Sequence, residues 1–592
     1  MRVNIIYNAR ANTGLFQDAS LLRGILAAVF DKDVQIRGVN FNLPECDEAD
    51  VNIFLEVMNP SLFSYARKNI WIPNPEWTYT TWVPYLDMVD EIWVKTKEAE
   101  SIFTPLTKTP IRLIGWSSFD KMWDLTEKKN YYKAIVPVGK NIFRHPKPIF
   151  QAYLKIHEDY PLDYTTLPVL HVVYDAKVIQ IKVPSTIQDK VVLHDFMKDS
   201  EYNELLKECG LCICLSLSEG FCHAVNEAMS AGCNLILSRI RPFLEDLVGE
   251  VQVGVWYGNV KETVQHPKQL GVLVDTAVSS IVDALRYYSD TSFKEHRMGS
   301  ETMRELFIDR NRKWIETMKT VLQESFPVNI PPYSLKDTFP KEEDLPDVSI
   351  VTITRDRRVF MPLAKYSYMI QSYPEDKLEW VIVDDGDDPI EDTLLGVPNV
   401  TYVRCDRKMT ISEKRNLGVE KSIYNTIVMM DDDDVYPNNS ILQRVAMLLK
   451  EPVKQCGFST TIPCYDITKF SSFMNVPPRD LPMSERVSEA TLVFTKKFWE
   501  DRKFDNSVHI AEGNAFIRGR EQMCREISPQ EVIVSLTHPL NTSSRKIPDF
   551  KEPNGCHFGF NEKLFAVVSE IGETLQSKKC SMHDGIQCEC IA

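Results

Sequence analysis

The stretch Ile427-Val-Met-Met-Asp-Asp-Asp-Asp-Val-Tyr-Pro437 constrains the chain most. A β-branched and apolar run leads straight into four consecutive carboxylates, and then into a turn with Pro437, Asn438 and Asn439. This pattern predicts a buried strand delivering acids to the end of a sheet. Adjacent carboxylates at a strand end repel one another unless a cation sits among them. Hard divalent ions such as Mg²⁺ and Mn²⁺ favour such oxygen ligands, usually shared with substrate phosphates. The plain alternative is a solvated acidic turn.

At 592 residues the chain is too long for one core and predicts three or four globular units. With 44% hydrophobic and 26% charged residues, each unit can bury a core. A net charge of -15 argues against a general nucleic-acid surface, so anionic substrates would need local Lys and Arg clusters. No apolar run is long enough to span a bilayer, and the N-terminal residues pattern as a strand rather than a signal peptide. The 14 cysteines are scattered, and Cys212, Cys214 and Cys233 lie in apolar runs. Buried free thiols in a reducing, cytoplasmic compartment are expected. Cys580, His583, Cys588 and Cys590 near the C-terminus are read as a frayed tail, with metal binding as the alternative.

Over residues 1–125, short apolar runs alternate with helix-like segments such as Ala19 to Phe30, the signature of a parallel α/β sheet. The turn from Asn8 to Gly14 follows the first strand, where open α/β sheets place ligands, although a plain connection would look the same. Trp71-Ile-Pro-Asn-Pro-Glu-Trp77 is a rigid aromatic loop, suited to packing or to lining a cleft.

A second α/β pattern covers 126–325, with strands expected at Ala134 to Gly139, Val169 to Tyr174, Val178 to Val183, Lys190 to Leu193, Leu211 to Leu215, Leu235 to Leu237 and Val251 to Tyr257. After the first of these come Lys140, Arg144 and Lys147, cations ahead of a helix and thus a ready phosphate site. Further on, a strand leads to Glu219-Gly-Phe221, and Glu227-Ala-Met229 follows on a helix. Two helical turns would separate the acids, which could bracket backbone N–H groups suited to a nucleotide diphosphate.

This run resembles the family 4 glycosyltransferases of the GT-B fold, whose two domains are Rossmann-like. The resemblance implies that Glu227 holds the donor ribose and Glu219 the hydroxyls of the donor sugar. Arg144, Lys147 and Lys140 would meet the diphosphate. It further implies a retaining, metal-independent transfer, in which cations and helix dipoles offset the charge of the leaving group. Two departures stand out: Arg144 is followed by His145 rather than Lys, and Cys222 takes the place of a second glycine.

Residues 326–346 carry five of the prolines between Pro327 and Pro346 with no apolar periodicity, and are read as an extended linker. A third α/β pattern fills 347–575, leaving 576–592 as a tail. Its strands Val348 to Thr354 and Leu378 to Val383 end at Arg355-Asp-Arg-Arg358 and Asp384-Asp-Gly-Asp-Asp388. Carboxylates at such an edge can accept from a base N–H and from ribose hydroxyls.

Strand, Asp-Asp-Gly, Arg415-Asn-Leu-Gly418 and Asp431-Asp-Asp-Asp434, in that order, resemble the family 2 glycosyltransferases of the GT-A fold. The resemblance implies that Asp384 or Asp385 recognises the base, and that Thr354, Asp356 and Arg415 lie beside the nucleotide. Asp431 and Asp433 would hold Mn²⁺ or Mg²⁺ against the donor diphosphate, with His538 as a possible extra ligand. Asp432 and Asp434 are expected to be supporting or solvated. An inverting transfer needs a base, and Glu512 lies where the family carries its acid, with Asp505 as rival.

The expected fold class is α/β: two Rossmann-like domains in the GT-B manner, then a GT-A nucleotide-diphospho-sugar transferase domain. The leading functional reading is a bifunctional enzyme with two sites, using UDP- or GDP-sugars to extend an oligosaccharide, glycoprotein or glycolipid acceptor, as in polysaccharide biosynthesis. Fusion would raise the local concentration of a shared intermediate. Two alternatives stay open: an N-terminal half that only binds glycan or assembles complexes, and a metal-dependent phosphohydrolase.

Overall fold

The computed structural model describes residues 1–9, 14–124, 128–326, 330–451, 453–508, 510–541, 548, 552, 554 and 558–581, with the backbone alone described at 32 and 576–581. The chain divides into two compact units: one of residues 1–42, 49–59 and 67–332, the other of 43–48, 60–66 and 333–592. Residues 43–48 and 60–66 thus belong with the second unit, although they lie inside the expected 1–125 span. Tyr65 Oη meets Ser528 Oγ at 3.2 Å, and Glu48 accepts from the N–H of Leu335 at 3.0 Å.

Two six-stranded sheets build the first unit. The first runs β2-β1-β3-β4-β5-β6, from β1 (Arg2–Tyr7), β2 (Gln35–Asn40), β3 (Ala49–Leu55), β4 (Ala66–Ile72), β5 (Glu91–Val94) and β6 (Ile111–Leu113). The second runs β12-β11-β10-β7-β8-β9, from β7 (Asn130–Gly139), β8 (Val169–Tyr174), β9 (Val191–Asp195), β10 (Cys209–Cys214), β11 (Asn234–Ser238) and β12 (Val255–Gly258). Every pairing in the second sheet is parallel, which explains why β10 and β11 are apolar along their whole length: both faces are covered.

One apolar core joins Val3 and Ile53 of the first sheet to Leu235 of the second through Met303 and Phe307 of the helix Phe293–Ser325. Ser292 and Glu295 form a capping box that starts this helix, which at 33 residues is about 50 Å long. Near its start, the carbonyl of His296 accepts from Asn234 on β11. At its end, Ser325 bonds Lys68 and Glu91, and Phe326 stacks on Phe30, so the helix fastens one sheet to the other.

One expected strand is absent. Residues Val178 to Val183 form a loop, because the edge of β8 that they would have paired with is taken by β9. Their apolar alternation is real but serves packing: Ile179 is buried and Ile181 and Val183 lie against the same core. An antiparallel hairpin of β13 (Val260–Gln265) and β14 (Val272–Thr276) completes this half.

The second unit has a seven-stranded sheet ordered β17-β16-β15-β18-β22-β19-β23. Its strands are β15 (Val348–Thr354), β16 (Leu378–Asp384), β17 (Val400–Arg404), β18 (Thr426–Met429), β19 (Cys456–Phe458), β22 (Val493–Thr495) and β23 (Cys524–Glu526). A small sheet adds β20 (Ile462–Asp466), β21 (Ser471–Asn475) and β24 (Ser535–Thr537). β15 to β18 pair in parallel, so their carboxyl ends share one edge. The expected strand over Val532 to His538 shortens to β24. The second half of the proline-rich linker is not free chain: Tyr333, Leu335 and Leu345 are buried in the core of this unit.

Candidate functional sites

In the first unit, a cavity of about 1010 Å³ opens at the carboxyl ends of both sheets. Asn8 and Gly14, the described ends of the first turn, line it, while residues 10–13 lie outside the described residues. Glu219, Glu227, Lys140 and Arg144 all line this space. Lys147 does not: it begins the helix Lys147–Asp159 after Pro146, and its side chain is exposed.

Glu219 is buried and receives Arg144 in a two-pronged pair, with Nη2 to Oε2 at 2.7 Å. The arginine intended for phosphate is therefore neutralised by the neighbouring acid in this state. On the helix His223–Ser230, Glu227 accepts from Gln17 at 2.7 Å and pairs with Lys121 at 3.1 Å. Lys140 is half exposed, with Asp175 at 3.8 Å. Cys222, standing where the family pattern has glycine, adopts φ 76°, the left-handed region that glycine favours. The position therefore holds a backbone conformation suited to glycine although a cysteine occupies it.

The aromatic loop proved richer than packing. Asn74, Glu76 and Trp77 line the cavity. Glu76 lies against Gly220, where any Cβ would come within 2.8 Å of its Oε2. That oxygen is buried and completes no well-formed hydrogen bond, and burial, with Glu219 nearby, pushes the Glu76 carboxyl up to about 8. A second group in the cavity wall was equally silent in the sequence. Asp18 is buried against Lys95 at 2.7 Å and His223 at 2.8 Å. Burial opposes its charge, but Lys95 and His223 outweigh that and hold it well below the usual carboxylate range. Proximity in the chain could not have found these residues, since they arrive from helices and loops far apart in sequence.

In the second unit the carboxyl edge of β15, β16 and β18 gathers the other site. Asp384 is fully buried and spent internally, accepting from Tyr402 Oη at 2.7 Å and from the N–H of Gly386 at 2.8 Å. Asp385 meets Arg355 at 3.0 Å, Lys414 at 2.9 Å and the N–H of Met409 at 2.7 Å. Burial raises its pKa, but these donors outweigh it and leave the group strongly acidic. Asp356 takes a left-handed conformation, φ 53°, and accepts from the backbone N–H groups of Asp387 and Asp388, which ties two strand-end loops together.

Lys414, Arg415 and Asn416 sit on the helix Ile411–Lys421, begun by a capping box between Thr410 and Glu413. Gly418 lets this helix lie close to the sheet, since a Cβ there would meet Val351 Cγ1 at 2.4 Å. Arg415 is buried, reaching Glu512 at 2.8 Å and Asp431 at 3.3 Å. The expected base and one expected metal ligand therefore share one cation. Glu489, not singled out in the sequence, lies beside Glu512, and burial with that neighbour pushes it up to about 7. Asp505 is exposed on a turn and accepts from Ser507 Oγ at 2.7 Å, so it does not join this group.

Asp431, Asp433 and Asp434 bring ligand oxygens within 4.8 Å of one another. Hard carboxylate donors in that arrangement fit a divalent ion of the Mg²⁺ or Mn²⁺ kind. Asp434 is also fixed to β24, through Ser535 Oγ at 2.7 Å and the N–H of Leu536 at 3.0 Å. Asp432 is buried and pairs with Arg357 at 2.9 Å. Burial pushes its carboxyl up to about 7, partly relieved by Arg357 and by Thr354. Neither Asp432 Oδ2 nor Thr354 Oγ1 completes a well-formed hydrogen bond. The acid run is therefore no solvated turn: Asp432, Asp433 and Asp434 are all buried.

His538 Nδ1 accepts from the N–H of Leu540 at 3.2 Å, while Nε2 lies 3.1 Å from Asp433 Oδ2 and 3.0 Å from Asn541 Nδ2. His538 thus stands directly against one of the expected metal ligands, where its tautomer decides whether Nε2 donates to Asp433 or is open to an ion. Arg357 also reaches Asp433, at 2.6 Å. The sequence signal for Arg357 was its place directly after β15, in a turn read only as polar. Residues 542–547, including Arg545, the loop position His509, and the tail residues Cys588 and Cys590 lie outside the described residues, as does the side chain of Cys580.

Comparison with known proteins gives the class. Residues 185–302 match the model "Glycosyl transferases group 1", and residues 349–509 match "Glycosyl transferase family 2". These matches mark a group 1, GT-B-type region in the first half of the chain and a family 2, GT-A-type region in the second. No curated protein sequence matches it.

Among solved structures, it is similar to the pneumococcal O-GlcNAc transferase GtfA in complex with UDP and GlcNAc. That pair is 13% identical with a TM-score of 0.36, covering 47% of this chain and 57% of that one. A TarS fragment from S. aureus is 16% identical with a TM-score of 0.26, covering 32% and 60%. The mannosyltransferase PcManGT from Pyrobaculum calidifontis, in complex with GDP-Man and Mn²⁺, is 16% identical with a TM-score of 0.26, covering 36% and 61%. The chain spans less than two thirds of each of these structures. Among the described residues, no helix is long and apolar enough to cross a membrane.

Proposed function

We propose that the chain transfers sugars from nucleotide-sugar donors at two separate sites. In the second unit the transfer is inverting and depends on a divalent ion held by Asp431 and Asp433, with Asp434 as a further oxygen. When bound, such an ion neutralises charge on the leaving diphosphate. The protein's own part is to position: Asp385, fixed by Arg355 and Lys414, offers an ionised acceptor for a base or ribose group, and Glu512 takes the proton of the acceptor hydroxyl. The observation that carries this reading is the convergence of three carboxylates at the end of β18, beside the pair Arg415 and Glu512.

In the first unit the transfer is retaining and needs no metal. Glu227 holds the ribose, Glu219 the sugar, and Arg144 and Lys140 the diphosphate. Donor binding would then release Arg144 from Glu219, freeing a cation for the phosphates and an acid for the hydroxyls in one movement. The second reading, a binding or assembly role for this unit, is favoured by that same closed pair, which keeps Arg144 engaged in the present state.

One experiment separates these readings. Purified full chain is incubated with a panel of UDP- and GDP-sugars, with and without EDTA, and nucleotide release is followed. Asp433→Ala removes the EDTA-sensitive release and leaves the resistant part; Glu219→Ala does the reverse. If Glu219→Ala changes nothing with any donor, the first unit does not transfer sugar.

A further inference from the structure

Cys214 closes strand β10, and Cys222 precedes the helix carrying Glu227; their Sγ atoms lie 4.0 Å apart. A carboxylate oxygen of Glu219 joins them, all three ligand atoms falling within 4.8 Å, and all three residues are buried. Tetrahedral zinc with sulfur bonds of about 2.3 Å places two thiolate sulfurs roughly 3.8 Å apart, close to the separation found here. The donor set is also of the right kind: two soft sulfurs and one carboxylate suit a thiophilic ion rather than Mg²⁺.

We infer that Cys214, Cys222 and Glu219 form a binding site for a thiophilic divalent cation of the Zn²⁺ class, distinct from the acid cluster of the second unit. Glu219 and Cys222 both line the cavity, so a water can supply the fourth position. The charges close: two thiolates, one carboxylate, the ion and the guanidinium of Arg144 sum to zero. Burial pushes the Cys222 thiol up, with Cys214 beside it acting in the same direction, but a coordinating thiol gives up its proton to solvent as the metal binds. No oxidation is involved; two protons leave and two metal–sulfur bonds form. On the reading of this cleft as a donor site, the ion withdraws Glu219 from the sugar, so occupancy and donor binding exclude one another.

The site is tested on the full chain, kept reduced and free of nucleotide, by titration with Co²⁺ and then Zn²⁺. Wild type is expected to take up one equivalent of Co²⁺ more than either Cys222→Gly or Cys214→Ser, with sulfur-to-cobalt charge-transfer absorption that Zn²⁺ abolishes. Cys222→Gly suits a backbone already at positive φ, and circular dichroism checks that each variant is folded. Equal uptake and equal absorption in wild type and both folded variants overturns the site. Because no donor is present, that outcome leaves the transferase reading untouched, which Glu227→Ala tests separately by loss of nucleotide binding to the first unit.

Discussion

Arg357 Nη1 stands 2.6 Å from Asp433 Oδ2, and the same nitrogen lies 2.9 Å from Asp432 Oδ1. A cation is thus already placed among the acids that the sequence offered to a metal. It answers the repulsion that four adjacent carboxylates create at the end of β18, and it competes with a divalent ion for Asp433. Arg357→Gln is expected to tighten Mn²⁺ binding in the absence of nucleotide by roughly three- to tenfold, the scale of one partly screened unit charge removed from a ligand. Mn²⁺ titration followed by electron paramagnetic resonance measures it. Weaker binding in the variant would mean that Arg357 organises the acids instead of competing for them.

This pair also marks where sequence reading stops. The strand-end acids at Asp384, Asp385 and Asp431 to Asp434 were legible because β-branched runs and carboxylates abut in the chain, and parallel sheets put ligands at that edge. Glu219 and Glu227 were legible through their turn and helix. Glu76, Asp18 and Glu489 were not, since their partners come from other elements of the fold and nothing local marks them, and Arg357 was marked only by its place directly after β15. Between Asp384 and Asp385 the sequence could not choose; in the fold Tyr402 and the N–H of Gly386 engage the oxygens of Asp384. The strand expected at Val178 to Val183 shows the remaining limit. Alternation reports a half-buried face, not the presence of a free sheet edge.

Arg415 bridges Glu512 and Asp431 in a buried setting, and removing it leaves two acids without their cation. Arg415→Ala is expected to destabilise the second unit by about 3–5 kcal/mol, the usual cost of orphaning a buried charge. Adding Glu512→Gln should recover part of that loss, because a neutral amide no longer needs the guanidinium. Urea unfolding of wild type, both single variants and the double variant measures the coupling. Strict additivity would show that the two side chains do not act as a pair.

Cys222 combines a buried side chain with φ 76°. Cys222→Ala and Cys222→Gly both delete the sulfur, but only glycine also removes the steric cost of the left-handed backbone, about 1–2 kcal/mol. Glycine is therefore expected to be the less damaging replacement, by about 1 kcal/mol, although it deletes more atoms and loosens the unfolded chain. Thermal unfolding of the two variants side by side decides it, and a more stable alanine variant would contradict the strain argument.

Glu76 supplies the pH dependence. Its folded pKa, about 8, lies above the ordinary glutamate value near 4.5, so between those values the native state holds a proton that the unfolded chain has lost. Stability then falls as pH rises through this window, and the penalty is complete above about 8. Glu219, Glu56 and the N–H of Gly220 face the group: the two acids deepen the rise and the N–H moderates it. Glu76→Gln cannot ionise, so relative to wild type it should gain stability steadily from pH 5 to pH 8, by an amount on the order of a few kcal/mol at most. Below pH 5 the two proteins should converge. Unfolding midpoints of both, measured in urea at several pH values, give the difference directly. A flat difference across the window would place the Glu76 proton elsewhere and leave the carboxyl ionised in the cavity wall.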